Sequence, residues 1–154
     1  MIKLFTYYEK LLCEYEDEVQ VKETKLSHGF KGLYYDGDIL IESRLTENEK
    51  HCILAEEIGH HFTSSGNIID QKKCANRQQE LKARNWAYEK IIPLSDLVNA
   101  QKAYCANYYE IAEYLCVSQE FLEEALTYYF QRYGHKVRWR NYLITFEPLN
   151  IVKL

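Results

Sequence analysis

Long hydrophobic runs are absent from this sequence of 154 residues. No apolar stretch reaches the roughly 20 residues that a helix needs to cross a bilayer. The amino-terminal segment MIKLFTYYEKLLCEYEDE soon becomes acidic and has no small-residue cleavage site, so it does not have the pattern of a signal peptide. We therefore expect a cytoplasmic protein with no membrane partner.

Paired cysteine motifs are also missing. The chain has five cysteines, and none of them forms a CxxC pair. An odd and widely scattered set differs from the even disulfide framework of a small secreted domain. The cysteines are therefore expected to be reduced thiols, which agrees with a cytoplasmic location.

A strong excess of charge is missing as well. The formal net charge is −4, so the chain as a whole has no attraction to nucleic acid. The sequence contains no internal repeat, low-complexity run or flexible linker, and its length is enough to bury a core. We predict a single domain over 1–154, with a core over about 1–94 and an extension over about 95–154.

The apolar spacing predicts an α+β fold that is rich in helices. Asp36-Gly37 is a strong signal for a two-residue hairpin turn, so a small amino-terminal sheet is expected within about 27–42. A helix pair followed by one or two short strands is expected near the carboxyl end. The predicted helices cover about 2–16, 46–63, 76–91, 96–103, 107–116 and 119–133. Thr46 is predicted to begin the second helix, and Ser95 to cap the fourth.

The segment LAEEIGHHF carries the most informative residues. On a helix Glu56 and His60 share a face, and Glu57 lies about 100° around from Glu56. This is the His-Glu-x-x-His pattern of zinc-protease helices with Glu56 in place of the first histidine. We predict Glu56 and His60 as metal ligands and Glu57 as the general base. A register shifted by one residue would pair Glu57 with His61, but it would place Ile58 at the base position.

Two ligands do not complete a metal site, because a catalytic zinc ion usually has three protein ligands. Glu80, twenty residues after His60 on the next predicted helix, is the best candidate for the third. The alternative is that these residues form only a charged, solvated helix face.

Residues from about 28 to 93 resemble the ImmA/IrrE metallopeptidases, in particular members encoded by phages and integrative elements beside their repressor genes. The resemblance is carried by EEIGHH, by the turn TSSGN and by ELKARNWAYEKIIP. It implies a zincin-like fold and a zinc-dependent metallo-endopeptidase. It also implies that Glu80, followed by Ala83, Trp86 and Ala87, is the third ligand. The implied partner is a repressor-type transcriptional regulator, whose cleavage relieves repression.

The carboxylate at Glu56 has an electrostatic consequence. Zn²⁺ with two carboxylates and one imidazole is formally neutral, whereas one carboxylate and two imidazoles leave a charge of +1. A less positive centre acidifies water and polarises a carbonyl less strongly, and an oxygen-rich site tolerates Mn²⁺ better. We therefore expect weak or conditional peptidase activity. The alternative is a pseudoprotease that binds and inactivates the repressor without cleaving it.

The predicted helices at 107–116 and 119–133 resemble a helix-turn-helix, which would make the protein a DNA-binding regulator. Cys116 replaces the usual glycine of the turn. The second helix carries Glu120, Glu123 and Glu124 and no basic residue before Arg132, and carboxylates repel phosphate. Direct binding of nucleic acid through these helices is therefore not expected.

Overall fold

The computed structural model describes residues 4–63 and 73–154 of the chain. Within them it shows six helices and two three-stranded sheets, which confirms the predicted α+β class. The chain forms two compact units, Met1–Ala87 and Tyr88–Leu154. No helix in the described part is long and apolar enough to cross a membrane.

The first unit contains a mixed sheet and the helix that carries the predicted motif. Its elements are α1 (Tyr7–Glu14), β1 (Gln20–Thr24), β2 (Gly32–Tyr35), β3 (Asp38–Glu42), α2 (Glu47–Thr63) and most of α3 (Lys73–Ile91). The strands are ordered β1-β3-β2, with β1 parallel and β2 antiparallel to the central β3. Helix α2 packs on β2, β3 and α1.

The second unit contains a helical part followed by an antiparallel sheet. Its further elements are α4 (Leu94–Lys102), α5 (Tyr108–Leu115), α6 (Gln119–Tyr133), β4 (Lys136–Trp139), β5 (Tyr142–Phe146) and β6 (Leu149–Lys153). The strands are ordered β4-β5-β6, and α6 packs on β4 and β5. Leu122 of α6 and Ile144 and Phe146 of β5 are almost completely buried and form part of this core.

The predicted hairpin is confirmed, and it fixes which side chains lie on each face of the first sheet. Asp36 and Gly37 form the turn with φ values of 45° and 86°, the positive values that such a two-residue turn requires. Ile39 and Ile41 on β3 are fully buried. Because side chains alternate along a strand, Leu40 lies on the opposite face.

Several predicted boundaries differ from the observed ones. Helix α1 is shorter than expected, and β1 was not predicted, because a strand with the sequence QVKET has little apolar alternation of its own. Ser95 lies inside α4, whose N-cap is Pro93, and it therefore does not cap that helix. The TSSGN turn falls largely outside the described residues.

The start of α2 is confirmed, because the Thr46 hydroxyl accepts a hydrogen bond from the Glu49 N–H at 3.2 Å.

Glu42, at the end of β3, offers a test of the first unit by pH. Its carboxylate is 5% exposed and accepts hydrogen bonds from the N–H groups of Leu26 and Arg44. The Arg44 side chain, followed by its N–H, holds the pKa of Glu42 at about 2, below its ordinary value of 4.5. The charged carboxylate therefore stabilises the fold above about pH 4.5, and this contribution is lost as the pH falls toward about 2.

We expect Glu42→Gln to lower the midpoint of urea unfolding at neutral pH. The difference from wild type should shrink as the pH falls through the window of about 4.5 to 2, because wild type then loses the same charge. Glu16→Gln, which removes an exposed carboxylate, serves as the control. A difference that does not change with pH would contradict the assignment.

Candidate active site and metal centre

Helix α2 turns its functional residues toward the interior of the first unit. Leu54, Ala55 and Ile58 are fully buried and anchor the helix. Glu57 and His60 lie among them and are only 9% and 7% exposed. Charged or polar side chains are rarely buried to this extent without a partner or a function.

The close approach of α2 and α3 occurs at Gly59. A Cβ atom at this position would lie 2.4 Å from the carbonyl oxygen of Ala83, which is fully buried on α3. Only glycine therefore allows the two backbones to approach this closely. Glu80 precedes Ala83 by three residues, so the two share a face of α3, and the contact at Gly59 brings Glu80 to His60.

His60 and Glu80 form the central pair of the site. The Nε2 atom of His60 lies 3.2 Å from Oε1 of Glu80, whose side chain is 55% exposed. The buried Nδ1 of His60 has no hydrogen-bond partner among the described residues. Two ligands of a tetrahedral zinc ion, each about 2.0–2.2 Å from it, lie about 3.4 Å apart. The spacing of the pair therefore fits two ligands of one metal ion.

The charges around this pair also favour a cation. Burial raises the pKa of Glu57 to about 7; the nearby His60 opposes this shift, while the charges of Glu56 and Glu80 add to it. Burial opposes the charged form of His60, yet the hydrogen bond to Glu80 and the charge of Glu57 raise its pKa overall. The same hydrogen bond lowers the pKa of Glu80. Carboxylate oxygens and an imidazole nitrogen are donor types that divalent metals accept, and the negative charges near His60 favour a cation.

Glu56 is the third of the predicted metal ligands. It lies one helical turn before His60, is half-buried, and its charge acts on both Glu57 and His60. However, no three His, Cys, Asp or Glu side chains in the described part of the chain converge closely enough to hold a metal ion. The set of Glu56, His60 and Glu80 therefore stays a prediction.

His61, the histidine of the shifted register, has different neighbours. The Tyr34 hydroxyl lies 2.8 Å from its Nδ1, and a carboxylate oxygen of Glu18 lies 3.9 Å from its Nε2. Its ring thus contacts Tyr34 on β2 and Glu18 in the segment that precedes β1, whereas Glu80 contacts His60. This geometry favours the register in which His60 is the ligand.

Gly32 on β2 is a site residue that the sequence did not reveal. A Cβ atom there would lie 2.5 Å from Cγ2 of Ile53 and 2.9 Å from Oε1 of Glu57. The strand therefore passes directly over the predicted base. The contact depends on how strand and helix pack, for which the sequence contains no local signal.

Aromatic packing holds the end of α2 against α3. Phe62 stacks on Trp86 with ring centroids 5.4 Å apart, and Tyr15 packs edge-on against both rings. Trp86 lies on the same helix as Glu80, so this cluster supports the alignment that Gly59 permits.

An α+β unit with a buried glutamate beside a His–Glu pair belongs to the class of metallopeptidase-like domains. More particularly, the chain belongs to the Peptidase_M78 family, described as the IrrE N-terminal-like domain, whose model matches residues 16–127. The predicted membership of the ImmA/IrrE family is thereby confirmed. The family supports peptidase activity and implies a metal cofactor, typically zinc. No curated protein and no solved structure matches the chain.

Proposed function

We propose that the protein is a metal-dependent endopeptidase that cleaves an extended segment of a repressor-type transcriptional regulator. The main support for the proposal is the contact of 3.2 Å between Nε2 of His60 and Oε1 of Glu80. This contact lies beside the buried Glu57, within the region that matches the peptidase family.

The proposed metal ligands are Glu56, His60 and Glu80. Glu56 lies one helical turn before His60, so the two residues share a face of α2. A bound Zn²⁺ or Mn²⁺ supplies a Lewis acid for the scissile carbonyl and makes a nearby water more acidic. The second carboxylate lowers the positive charge of this centre, so we expect its activity to be weak or conditional.

Glu57 is the proposed general base. Its side chain is buried, and burial raises its pKa to about 7, so its carboxylate can accept and release a proton near neutral pH. It would accept a proton from the attacking water and deliver it to the leaving amine. The absence of a side chain at Gly32 keeps the space beside its Oε1 open.

Strand β2 is the proposed substrate-binding edge. In the described part of the chain it has β3 on one side and no strand on the other. The Glu42 N–H donates to the Lys31 carbonyl at 2.9 Å, so these two residues form a hydrogen-bonded pair. Because bonded and non-bonded pairs alternate, Gly32 and Tyr34 direct their N–H and C=O groups toward the free edge. An extended peptide could pair there.

The proposed partner is a protein and not a nucleic acid. Helices α5 and α6 are joined at Cys116, whose φ of 56° is the left-handed value that such a turn uses. Glu120 and Glu123 on α6 are exposed, and no Lys or Arg lies between Lys102 and Arg132. A phosphate backbone would therefore meet carboxylates and neutral side chains on this surface, with no basic residue from 103 to 131 to attract it. The repressor is proposed from the resemblance of residues 28–93, and the location of the reaction is proposed to be the cytoplasm.

The second candidate is a pseudoprotease that inactivates the repressor by binding alone. It is favoured because no three His, Cys, Asp or Glu side chains among residues 4–63 and 73–154 lie close enough together to hold a metal ion. The two functions are separated by incubating the protein and the repressor with added Zn²⁺ or Mn²⁺ and with a chelator. Cleavage products that appear only with metal support the peptidase. Release of the repressor from DNA while it remains intact, with or without metal, would establish the alternative.

The effect of the carboxylate at Glu56 on the metal centre can be tested by substitution. Glu56→His should raise kcat/KM by about tenfold, because the metal centre would then keep a formal charge of +1 and polarise a carbonyl more strongly. Glu56→Gln, which removes the carboxylate without adding an imidazole, should lower the Zn²⁺ affinity. Isothermal titration and a peptide-cleavage assay measure the two effects. Lower activity of Glu56→His at saturating Zn²⁺ would contradict the electrostatic account.

A further inference from the structure

A groove of about 490 Å³ lies on the first sheet. It is lined by residues from all three strands. Six of them have side chains on the face of the sheet opposite to the buried Ile39 and Ile41. These six side chains, which form the outer face of the sheet, belong to Gln20, Lys22, Leu33, Tyr35, Asp38 and Leu40. The outer face is thus opposite the face on which α2 packs.

The strand register arranges the outer face in two rows. The first row runs from Leu33 on the edge strand to Leu40 on β3 and then to Lys22 on β1. Leu33 is 39% exposed, although it is a large apolar residue. The end of this row at the free edge of β2 is therefore apolar. Its charged residue, Lys22, lies on β1, at the other edge of the sheet.

The occupant that fits this groove is an extended peptide paired with β2. The outward N–H and C=O groups of Gly32 and Tyr34 can form ladder hydrogen bonds with a strand-like partner, and directly opposed residues on paired strands point to the same face. A residue opposite Gly32 would face α2 and Glu57. Its neighbour opposite Leu33 would face the groove, with its Cβ about 5 Å from that of Leu33.

We propose that Leu33 and Leu40 form a specificity surface for one large aliphatic side chain of the substrate. This side chain belongs to the residue adjacent to the one that pairs with Gly32. The inference rests on the proposed endopeptidase function, and it adds the class of segment that the site selects. Packing against the exposed surface of Leu33 would remove apolar area from water on both partners, whereas an acidic or small side chain would gain no such contact.

The preference can be measured with a random peptide library digested by the metal-loaded protein. We expect one subsite near the cleaved bond to favour Leu, Ile, Val or Met over Gly or Asp by about tenfold. In Leu33→Glu the same subsite, and no other, should change its preference to Lys or Arg. Leu4→Glu, at a residue that is 88% exposed and outside the groove, should leave the preference unchanged. Cleavage without a preference at any subsite, or an unchanged preference in Leu33→Glu, would overturn the inference.

A binding experiment separates this inference from the proposed function. Immobilised Glu57→Gln protein, with Leu33 intact or replaced by Glu, is used to capture peptides from the same library. Enrichment of aliphatic peptides that is lost in the Leu33→Glu protein would support the surface even if wild type cleaved nothing. A second copy of the chain is the competing occupant of the β2 edge. Sedimentation showing a dimer that dissociates in Leu33→Glu, without peptide selection, would overturn the proposal.

Discussion

Gly59→Ala is expected to destabilise the protein by about 3 kcal/mol, at the upper end of the usual cost of overpacking. The added Cβ would lie 2.4 Å from the carbonyl oxygen of Ala83 and 3.1 Å from its Cα. These are backbone atoms of a helix, so no side-chain rotation can make room. The clash can be relieved only if α2 and α3 move apart.

The same movement would disturb the metal centre, because Glu80 lies one turn from the point of contact. We expect the affinity for Zn²⁺ to fall at least about tenfold, which is the usual loss when a ligand is no longer well positioned. Chemical unfolding of the metal-free protein measures the first effect, and competition with a chromophoric chelator measures the second. A single substitution should therefore reduce both stability and metal affinity, although Gly59 is not a ligand.

Gly29→Ala is the matched control for this substitution. Gly29 has a φ of 73°, but no atom lies within 4 Å of an added Cβ. Its replacement should cost about 1 kcal/mol from the left-handed backbone alone and leave the Zn²⁺ affinity unchanged. If Gly59→Ala were no more destabilising than Gly29→Ala, or if it retained full affinity for Zn²⁺, the close helix contact would not be what positions Glu80.

The features that could be predicted from the sequence are those whose causes are local. The turn at Asp36-Gly37 uses positive φ values, and the start of α2 uses the Thr46 hydroxyl as a cap. Each feature depends on the types of a few neighbouring residues, which the sequence shows directly. The positions of Glu57 and His60 on one helix follow from helical spacing. The pairing of Glu80 with His60 is not local; Glu80 was a candidate because it lies on the next predicted helix, and the family resemblance strengthened that expectation.

The features that could not be predicted depend on contacts between distant segments. Strand β1 contains charged residues around Val21, and its conformation is fixed by parallel pairing with β3, which the sequence does not encode locally. The passage of Gly32 over Glu57 and the contact of Tyr34 with His61 depend on the packing of β2 on α2. An extended segment near Leu33 could be proposed from the sequence as a substrate-binding strand, but its free edge and its place beside Glu57 depend on the strand order and on this packing.

Glu57→Gln is expected to lower kcat by about 10³-fold, within the range of 10² to 10⁴ that a general base contributes. Glutamine has nearly the same shape as glutamate, so it should still fit beneath Gly32, but it cannot accept the proton of the attacking water. Glu57 is not a predicted ligand, so the Zn²⁺ content should stay the same. Glu80→Gln should instead lose metal and activity together, which separates the role of the base from that of a ligand.

Glu16→Gln provides the control for this last prediction, because it removes one exposed carboxylate and leaves the site untouched. Its kcat should equal that of wild type, whereas Glu57→Gln should bind the repressor segment with wild-type affinity and fail to cleave it. A Glu57→Gln protein that retained more than about a tenth of the wild-type rate would exclude Glu57 as the base. The shifted register would gain no support from that result, because Ile58 at its base position has no group that can accept a proton.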